Sequence, residues 1–187
     1  MLTHNQLRIG TRVEIDGQPW IIVSAQFVKP GKGQAFTKIR IKNLMDGRVI
    51  DRTYKSSETV SKADVVDKDM QYLYKDGDHW HFMDPATYEQ VALGATEVSD
   101  TVNWLKEQET YAVTLWQGKA IAVQAPPFLN LTIVHCEPGI KGDTVSGATK
   151  PATLETGVIV KVPLFINQEE RIKVDTRTAE YVERAKG

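Results

Sequence analysis

Residues 72–82 read YLYKDGDHWHF and predict a tight β-hairpin. Aromatic side chains recur at every second position, at Tyr72 and Tyr74 before the central Asp76-Gly77 pair and at Trp80 and Phe82 after it. Alternation with a period of two is the pattern of a strand with one buried face. The Asp-Gly pair suits the turn because glycine adopts a positive φ without steric cost.

Three further segments repeat this arrangement of apolar runs around a glycine turn. Their turns are predicted at Asp16-Gly17, Asp46-Gly47 and Gln117-Gly118. Short strands separated by turns at this spacing are typical of small β-barrels. We therefore expect an all-β protein built from small barrels.

One stretch has the periodicity of a helix. Val98, Val102 and Leu105 recur at helical spacing. Ser99 lies at the start of this stretch and is a candidate N-cap. The sequence thus predicts one or two short helices among the strands.

The composition is that of an ordinary globular protein. Of the 187 residues, 41% are hydrophobic and 25% are charged, which argues against the disordered and low-complexity classes. No apolar run approaches the roughly 20 residues that cross a bilayer, and the start MLTHNQLRIG lacks the layout of a signal peptide. We expect a cytoplasmic protein without membrane association. Its single cysteine, Cys136, excludes an internal disulfide and is expected to be a buried thiol.

Charge is unevenly distributed, although the net charge is −1. Residues 1–63 carry 11 basic and 5 acidic side chains, net +6, whereas residues 64–125 carry 4 and 11, net −7. Residues 126–187 carry 8 of each kind. A basic first third is an electrostatic feature of nucleic-acid binding, although solvated surface lysines give similar local excesses.

The charge steps also indicate where domains begin and end. The first step falls near residue 63, and Pro126-Pro127 interrupts a strand at the second. We predict three domains, at residues 1–63, 64–126 and 127–187. Each is near the lower size limit for independent folding, so we expect the barrels to pack against one another.

The segment FVKPGKGQAF, residues 27–36, predicts a loop with Lys32 exposed at its tip. Pro30 stiffens the approach, and Gly31 and Gly33 allow a sharp reversal of the chain. The apolar flanks predict two paired strands that hold the loop outward. Without further context, an ordinary hairpin with a solvated lysine is the simpler interpretation. A phosphate-binding P-loop is excluded because no Gly-Lys-Ser/Thr follows.

Several separated motifs, taken in order, resemble those of bacterial elongation factor P. They are KPGKGQAF (29–36), YLYKDGDHWHFMD (72–84), GDTVSGATKPATLETG (142–157), VKVPLF (160–165) and IKVDTRTAEYVER (172–184). Each motif alone is weak, but their common order over the whole chain argues against chance similarity. The resemblance implies an SH3-like, or KOW-like, N-terminal domain that carries the Lys32 loop, followed by two OB-fold domains.

The resemblance also implies a function in translation elongation. Members of this family bind the 70S ribosome between the peptidyl (P) and exit (E) sites and rescue ribosomes stalled at consecutive prolines. Lys32 occupies the position that the family modifies, often by β-lysylation, so lysine-modifying enzymes are implied partners. The loop would reach the CCA end of peptidyl-tRNA, where positioning alone would assist the ribosomal RNA. We therefore expect no catalytic site, no cofactor and no bound metal ion, and we expect a monomer.

The implied contacts with tRNA and rRNA fall in two regions. The first comprises the loop and the strand after it, namely Lys29, Pro30, Gly31, Lys32, Gly33, Gln34 and Lys42. Lys38 and Arg40 can add sequence-independent attraction to phosphates. In the third segment the implied contacts are Gly147, Ala148, Thr149, Tyr181 and Arg184. A plain surface connection at 142–151 and core packing of Tyr181 remain the alternatives.

Two residues depart from the family pattern. Glu169 and Ala179 stand where the family usually has glycine. Because residues other than glycine disfavour positive φ, we expect altered turns at the edge of the third barrel.

Other functions remain open from the residues alone. A general RNA- or single-stranded-DNA-binding protein would use its OB-fold barrels and depend little on Lys32. An enzyme with Lys32 as a Schiff-base nucleophile would need that lysine to be desolvated, which an exposed loop opposes. His79 and His81 share a strand face and could chelate a metal ion, but the sequence offers no convincing third ligand.

Overall fold

Three antiparallel sheets follow one another along the chain. The computed structural model of the protein describes residues 1–139 and 147–186. The first sheet has the strand order β1-β6-β2-β3-β4-β5. Its strands are β1 (Leu2–Thr3), β2 (Arg12–Ile15), β3 (Gln18–Val28), β4 (Phe36–Asn43), β5 (Val49–Lys55) and β6 (Thr59–Lys62).

The second and third sheets have five strands each. The second has the order β11-β10-β7-β8-β9, and the third has the order β14-β13-β12-β15-β16. The strands of the second are β7 (Val65–Asp76), β8 (His79–Met83), β9 (Gln90–Leu93), β10 (Thr110–Trp116) and β11 (Lys119–Gln124). Those of the third are β12 (Phe128–Cys136), β13 (Thr149–Leu154), β14 (Ile159–Pro163), β15 (Arg171–Asp175) and β16 (Glu180–Arg184).

Edge strands meet in the second and third sheets, β9 against β11 and β14 against β16, and this closes each sheet into a small barrel. In the first sheet, β1 pairs with β6, and a 3₁₀ helix at His4–Gln6 packs against β4. The all-β prediction of three small barrels is confirmed.

Two of the predicted turns have the expected two-residue form. Asp16 and Gly17 join β2 to β3 with φ of 54° and 71°, and Gln117 and Gly118 join β10 to β11 with φ of 52° and 81°. Positive φ at both central residues matches the twist of the flanking strands.

The other two hairpins form with different turns. Asp76 still belongs to β7 and pairs with His79, so the turn residues are Gly77 and Asp78.

At Asp46-Gly47 the connection is five residues long, since β4 ends at Asn43 and β5 begins at Val49. The Asn43 carboxamide oxygen accepts hydrogen bonds from the backbone N–H groups of Met45 and Asp46, at 2.8 and 3.1 Å. These bonds to the Asn43 side chain stabilise the longer turn.

The helix lies earlier than predicted, and Ser99 is not its N-cap. Helix α1 is Ala95–Val98, and its Glu97 carboxylate accepts a hydrogen bond from the Gly94 N–H at 3.1 Å. Ser99 has a φ of 49°, which ends α1, and a 3₁₀ helix continues over Ser99–Trp104. The helical spacing of apolar residues therefore spans two short helices rather than one.

Each barrel has its own apolar core, and one side chain of the second segment is buried in the third core. Trp104 belongs to the second segment, yet it is 8% exposed and packs in the third core with Leu131 and Leu154. Lys106 Nζ lies 3.1 Å from the Glu155 carboxylate across the same junction. The second and third barrels therefore pack against each other through Trp104, as the size of the segments predicts.

The junction between the first and second barrels is polar. Across it, the Arg12 guanidinium of the first barrel pairs with the Asp67 carboxylate of the second. No apolar core cluster of the described residues spans this junction. The first junction is therefore polar, whereas the second contains a buried tryptophan.

Candidate nucleic-acid interface

The Lys32 loop connects two paired strands of the first barrel. Val28 at the end of β3 pairs with Phe36 at the start of β4, so residues 29–35 form the connection. The Ser56 N–H donates to the Ala35 carbonyl at 3.0 Å and fixes the base of the loop to the neighbouring turn. Lys32 is exposed at the far end, as the sequence predicts.

Backbone conformation explains one of the two loop glycines. Gly33 has a φ of 104°, a region that residues with a Cβ rarely adopt. A Cβ added there would come no closer than 4.0 Å to the Pro30 ring, so the requirement for glycine is conformational and not one of space. Gly31 faces open space.

A row of cations leads away from the loop along β4. Lys38, Arg40 and Lys42 are exposed, and they alternate with buried residues. Arg40 hydrogen-bonds across to Asp51 at 2.9 Å, which raises the pKa of Arg40 and lowers that of Asp51. Lys42 lies six residues beyond the start of β4, about 20 Å along the strand at roughly 3.3 Å per residue. The expected contact at Lys42 is therefore well separated from the loop tip.

The predicted contacts of the third segment lie on the third barrel, in a different sheet from the loop. Gly147 and Ala148 precede β13, and Thr149 begins it. The start of the 142–151 connection, through residue 146, lies outside the described residues. Thr149 and Tyr181 line one groove together with Ile159 and Lys161. The structure thus brings together two of the residues that the sequence named separately.

Tyr181 and Arg184 both make contacts within the barrel. Tyr181 is half-buried and packs against the third core, as its alternative interpretation had it. Arg184 lies 3.1 Å from the Glu170 carboxylate, donates to the Phe165 carbonyl at 3.3 Å, and stacks over the Phe165 ring at 4.9 Å. A phosphate would have to compete with Glu170 for this guanidinium.

The histidine and cysteine candidates make contacts within the fold. His81 stacks on Tyr74 with ring centroids 4.6 Å apart. Within residues 1–139 and 147–186, no three His, Cys, Asp or Glu side chains are grouped to hold a metal ion. Cys136 is buried and its thiol lies 3.7 Å from the Ile166 carbonyl.

Sequence reasoning missed a pocket beside the loop. Gln34, Phe36, Thr53 and Lys55 line it. The sequence contains Phe36 as an apolar flank of the loop, but the contribution from β5 depends on a strand pairing that no local pattern specifies.

Family models match each of the three barrels. The model described as the elongation factor P KOW-like domain matches residues 3–60, that of the elongation factor P OB domain matches 65–123, and that of the elongation factor P C-terminal domain matches 129–184. The chain belongs to the elongation factor P family. It is 64% identical to the elongation factor P of Magnetococcus marinus over 187 residues, which is 100% of both chains. Membership of this family makes the protein a translation elongation factor.

Solved structures support the fold. A eukaryotic translation initiation factor 5A from Methanococcus jannaschii is 24% identical with a TM-score of 0.55, and the match covers 66% of this chain and 92% of that one. An eIF-5A family protein from Naegleria fowleri is 17% identical with a TM-score of 0.51, covering 66% and 96%. Among the described helices, none has the length and apolar character needed to cross a membrane.

Proposed function

We propose that this elongation factor binds the 70S ribosome between the P and E sites and stimulates peptide-bond formation at consecutive prolines through Lys32. The observation that carries the proposal is the exposed Lys32 at the tip of a loop held outward by two paired strands. The loop would reach the CCA end of peptidyl-tRNA. Lys29, Pro30, Gly31, Gly33 and Gln34 would shape and support that contact.

The stimulation is positional. Proline is a poor nucleophile and a rigid donor, so holding the tRNA end and the nascent chain in a reactive geometry lowers the entropic part of the barrier. The ribosomal RNA keeps the chemistry, and the protein contributes no acid, base or nucleophile of its own. The exposure of Lys32 supports this mechanism over a Schiff base, which needs a desolvated amine.

Modification would extend the reach of Lys32. An exposed lysine between two glycines is open to a modifying enzyme from several directions. β-Lysylation would lengthen the side chain and add a cation that can contact RNA phosphates or sugar hydroxyls. Mass spectrometry of the loop peptide from the native source tests this, and an unmodified peptide would refute it.

The third barrel would supply the second set of ribosome contacts. Gly147, Ala148 and Thr149 would approach RNA with backbone and hydroxyl groups, and Tyr181 and Arg184 would add an aromatic face and a guanidinium. The groove shared by Thr149 and Tyr181 supports a common contact. Because the Arg184 guanidinium pairs with the Glu170 carboxylate, it would have to leave this carboxylate to bind an RNA phosphate.

The three-domain division at 1–63, 64–126 and 127–187 is part of the proposal. Three separate sheets support it, while Trp104 ties the second domain to the third. The protein would act as a monomer in the cytoplasm, with ribosomes and the lysine-modifying enzymes as its partners.

A general RNA-binding function is the second candidate. The basic row on β4 and the two OB-fold barrels favour it. Such a protein would bind free RNA with strong dependence on salt and little dependence on Lys32.

The deciding experiment measures the rate of peptide-bond formation on ribosomes translating a message with consecutive prolines. The samples are native protein, unmodified protein, Lys32→Ala and the control Lys62→Ala, an exposed lysine on β6 of the same barrel. We expect acceleration by native protein and by Lys62→Ala, with a sharp loss in Lys32→Ala. No acceleration by native protein at saturating concentration would refute the proposal and favour general RNA binding.

A further inference from the structure

A pocket opens at the base of the Lys32 loop, on the outer face of the first barrel. Its volume is about 420 Å³, and it is lined by Gln34, Phe36, Thr53 and Lys55. This is within the range of small-ligand sites in proteins, about 300–1,000 Å³. It is distinct from Lys32, which lies at the loop tip.

The pocket contains an aromatic ring on a face that is otherwise charged. On β4 the outward positions after Phe36 are Lys38, Arg40 and Lys42, and the inward positions between them are buried. Phe36 pairs with Lys55 on β5, which places both side chains on the outer face. The ring is only half-buried and is not among the residues that form the first core.

Cations and polar groups surround this ring. Lys38 Nζ lies 5.9 Å from the centroid of Phe36, and Lys55 is exposed on the neighbouring strand β5, on the same face. Gln34 brings an amide that both donates and accepts hydrogen bonds, and Thr53 brings a hydroxyl. Such a set offers a stacking face, partners for a base edge and a positive charge for a phosphate.

We propose that this pocket binds one unpaired nucleobase of an RNA strand, stacked on Phe36, with the adjoining phosphate near Lys55 or Lys38. The positive charge of the first third of the chain favours an anionic strand over an apolar peptide. The inference rests on the proposed function, because it specifies how the loop region would hold RNA.

Binding of a short RNA to free protein tests the inference. The probe is an adenosine trinucleotide, and its matched control is the same trinucleotide with abasic sugars, which keeps the phosphates and removes the bases. Binding is followed by NMR at the backbone amides of residues 34–36 and 53–55. We expect the trinucleotide to shift these amides and the abasic strand to bind at least about fivefold more weakly, since stacking contributes about 1–3 kcal/mol per base.

Variants locate the stacking partner. Phe36→Leu keeps an apolar side chain but removes the ring, so affinity should fall about fivefold or more, whereas Phe36→Tyr should retain it. Phe27→Leu is the matched control, because Phe27 is 55% exposed beside the same loop but stacks with His4 on the opposite face. Lys55→Ala should reduce the slope of log affinity against log salt by about one. Unchanged melting temperatures establish that the variants fold.

Equal affinity of Phe36→Leu and the unaltered protein, or of the abasic and normal strands, would overturn the inference and leave only general attraction to phosphates. The same variants are then assayed on ribosomes with a consecutive-proline message. Acceleration by native protein without base-dependent binding would refute the pocket and leave the proposed function standing. Base-dependent binding without acceleration would refute the proposed function and support the pocket.

Discussion

Two turns of the third barrel hold residues in the left-handed backbone region. Glu169 has a φ of 72° and Ala179 a φ of 59°. Both residues nevertheless make backbone hydrogen bonds: the Glu169 N–H donates to the Ile133 carbonyl on β12 at 2.9 Å, and the Ala179 N–H donates to the Asp175 carbonyl of its own turn at 2.8 Å. The barrel therefore keeps a geometry suited to glycine while carrying residues with a Cβ.

Replacing Ala179 by glycine should stabilise the protein. The left-handed region costs an L-residue about 1–2 kcal/mol, and the greater freedom of glycine in the unfolded chain offsets about 0.5–1 kcal/mol of the gain. We expect Ala179→Gly to raise the free energy of unfolding by about 0.5–1 kcal/mol, measured by urea denaturation. Ala122→Gly, on strand β11, is the control and should lower it. A loss of stability in Ala179→Gly would contradict the strain argument.

At the scale of elements, the loop depends on strand pairing at its base and on one glycine near its tip. The pairing of Val28 with Phe36 fixes where the loop begins, and Gly33 supplies the conformation that turns the chain back. Alanine fits the open space at Gly31. At Gly33 it would be strained, because a residue with a Cβ rarely adopts a φ of 104°.

The two loop glycines should therefore respond differently to alanine. Gly33→Ala should lower the free energy of unfolding by about 1 kcal/mol or move the loop to a new conformation, seen as amide shifts across residues 29–35. Gly31→Ala should leave both unchanged or raise stability slightly, because it restricts the unfolded chain. Equal effects of the two substitutions would show that the positive φ is not what the loop requires.

A buried tyrosine orders the segment that carries Trp104. The Tyr111 hydroxyl donates to the Trp104 carbonyl at 2.6 Å and accepts from the Lys106 N–H at 2.8 Å. Burial raises the pKa of Tyr111 to about 12. Its protonated form thus contributes stability that is present below the unfolded pKa of about 10 and is lost as pH rises towards 12.

Tyr111→Phe should remove both hydrogen bonds, so that the buried Trp104 carbonyl and the part-buried Lys106 N–H lose this partner. We expect a loss of about 1–3 kcal/mol of unfolding free energy at neutral pH. The alkaline decline in stability above pH 10 should also be shallower in the variant. Denaturation at pH 7 and across the alkaline range measures both, and an unchanged alkaline profile would assign the decline to other groups.

For the whole molecule, the two junctions predict two degrees of coupling between barrels. Trp104 buries an indole in the third core, whereas the first junction contains the partly exposed Arg12–Asp67 ion pair. Large aromatic burial contributes several kcal/mol, and a partly exposed ion pair contributes about 1 kcal/mol or less. The second and third barrels should therefore unfold together more readily than the first and second.

Trp104→Ala should separate the third barrel from the second. We expect a loss of about 3–5 kcal/mol, with faster hydrogen exchange at the amides of Ile133 and Leu154 than at those of the second core. Arg12→Ala, at the other junction, is the comparison and should cost about 1 kcal/mol or less. Equal loss of protection in both barrels after Trp104→Ala would mean that they remain one cooperative unit.

Much of the architecture follows from local patterns. Period-two alternation around glycine turns identified four hairpins, and the loop at residues 29–35 followed from its glycines and apolar flanks. The helix begins earlier than its apolar spacing predicts, because the Glu97 carboxylate caps its start at Gly94 and because the positive φ of Ser99 ends it. The two displaced turns were likewise set by neighbouring hydrogen bonds and strand register that outweighed the Asp-Gly preference.

The sequence alone predicts the β-class and the exposed Lys32 loop, because both depend on residues close together along the chain. It also carries the basic first third and the family resemblance, because these depend on the order of residues and not on their contacts. Tertiary structure alone decided that Trp104 fills the core of the next barrel, that Arg184 is held by Glu170, and that Phe36 and Lys55 share a pocket. Those contacts join residues about 14 to 50 positions apart, and their register is selected by packing of the whole barrel, which no local periodicity encodes.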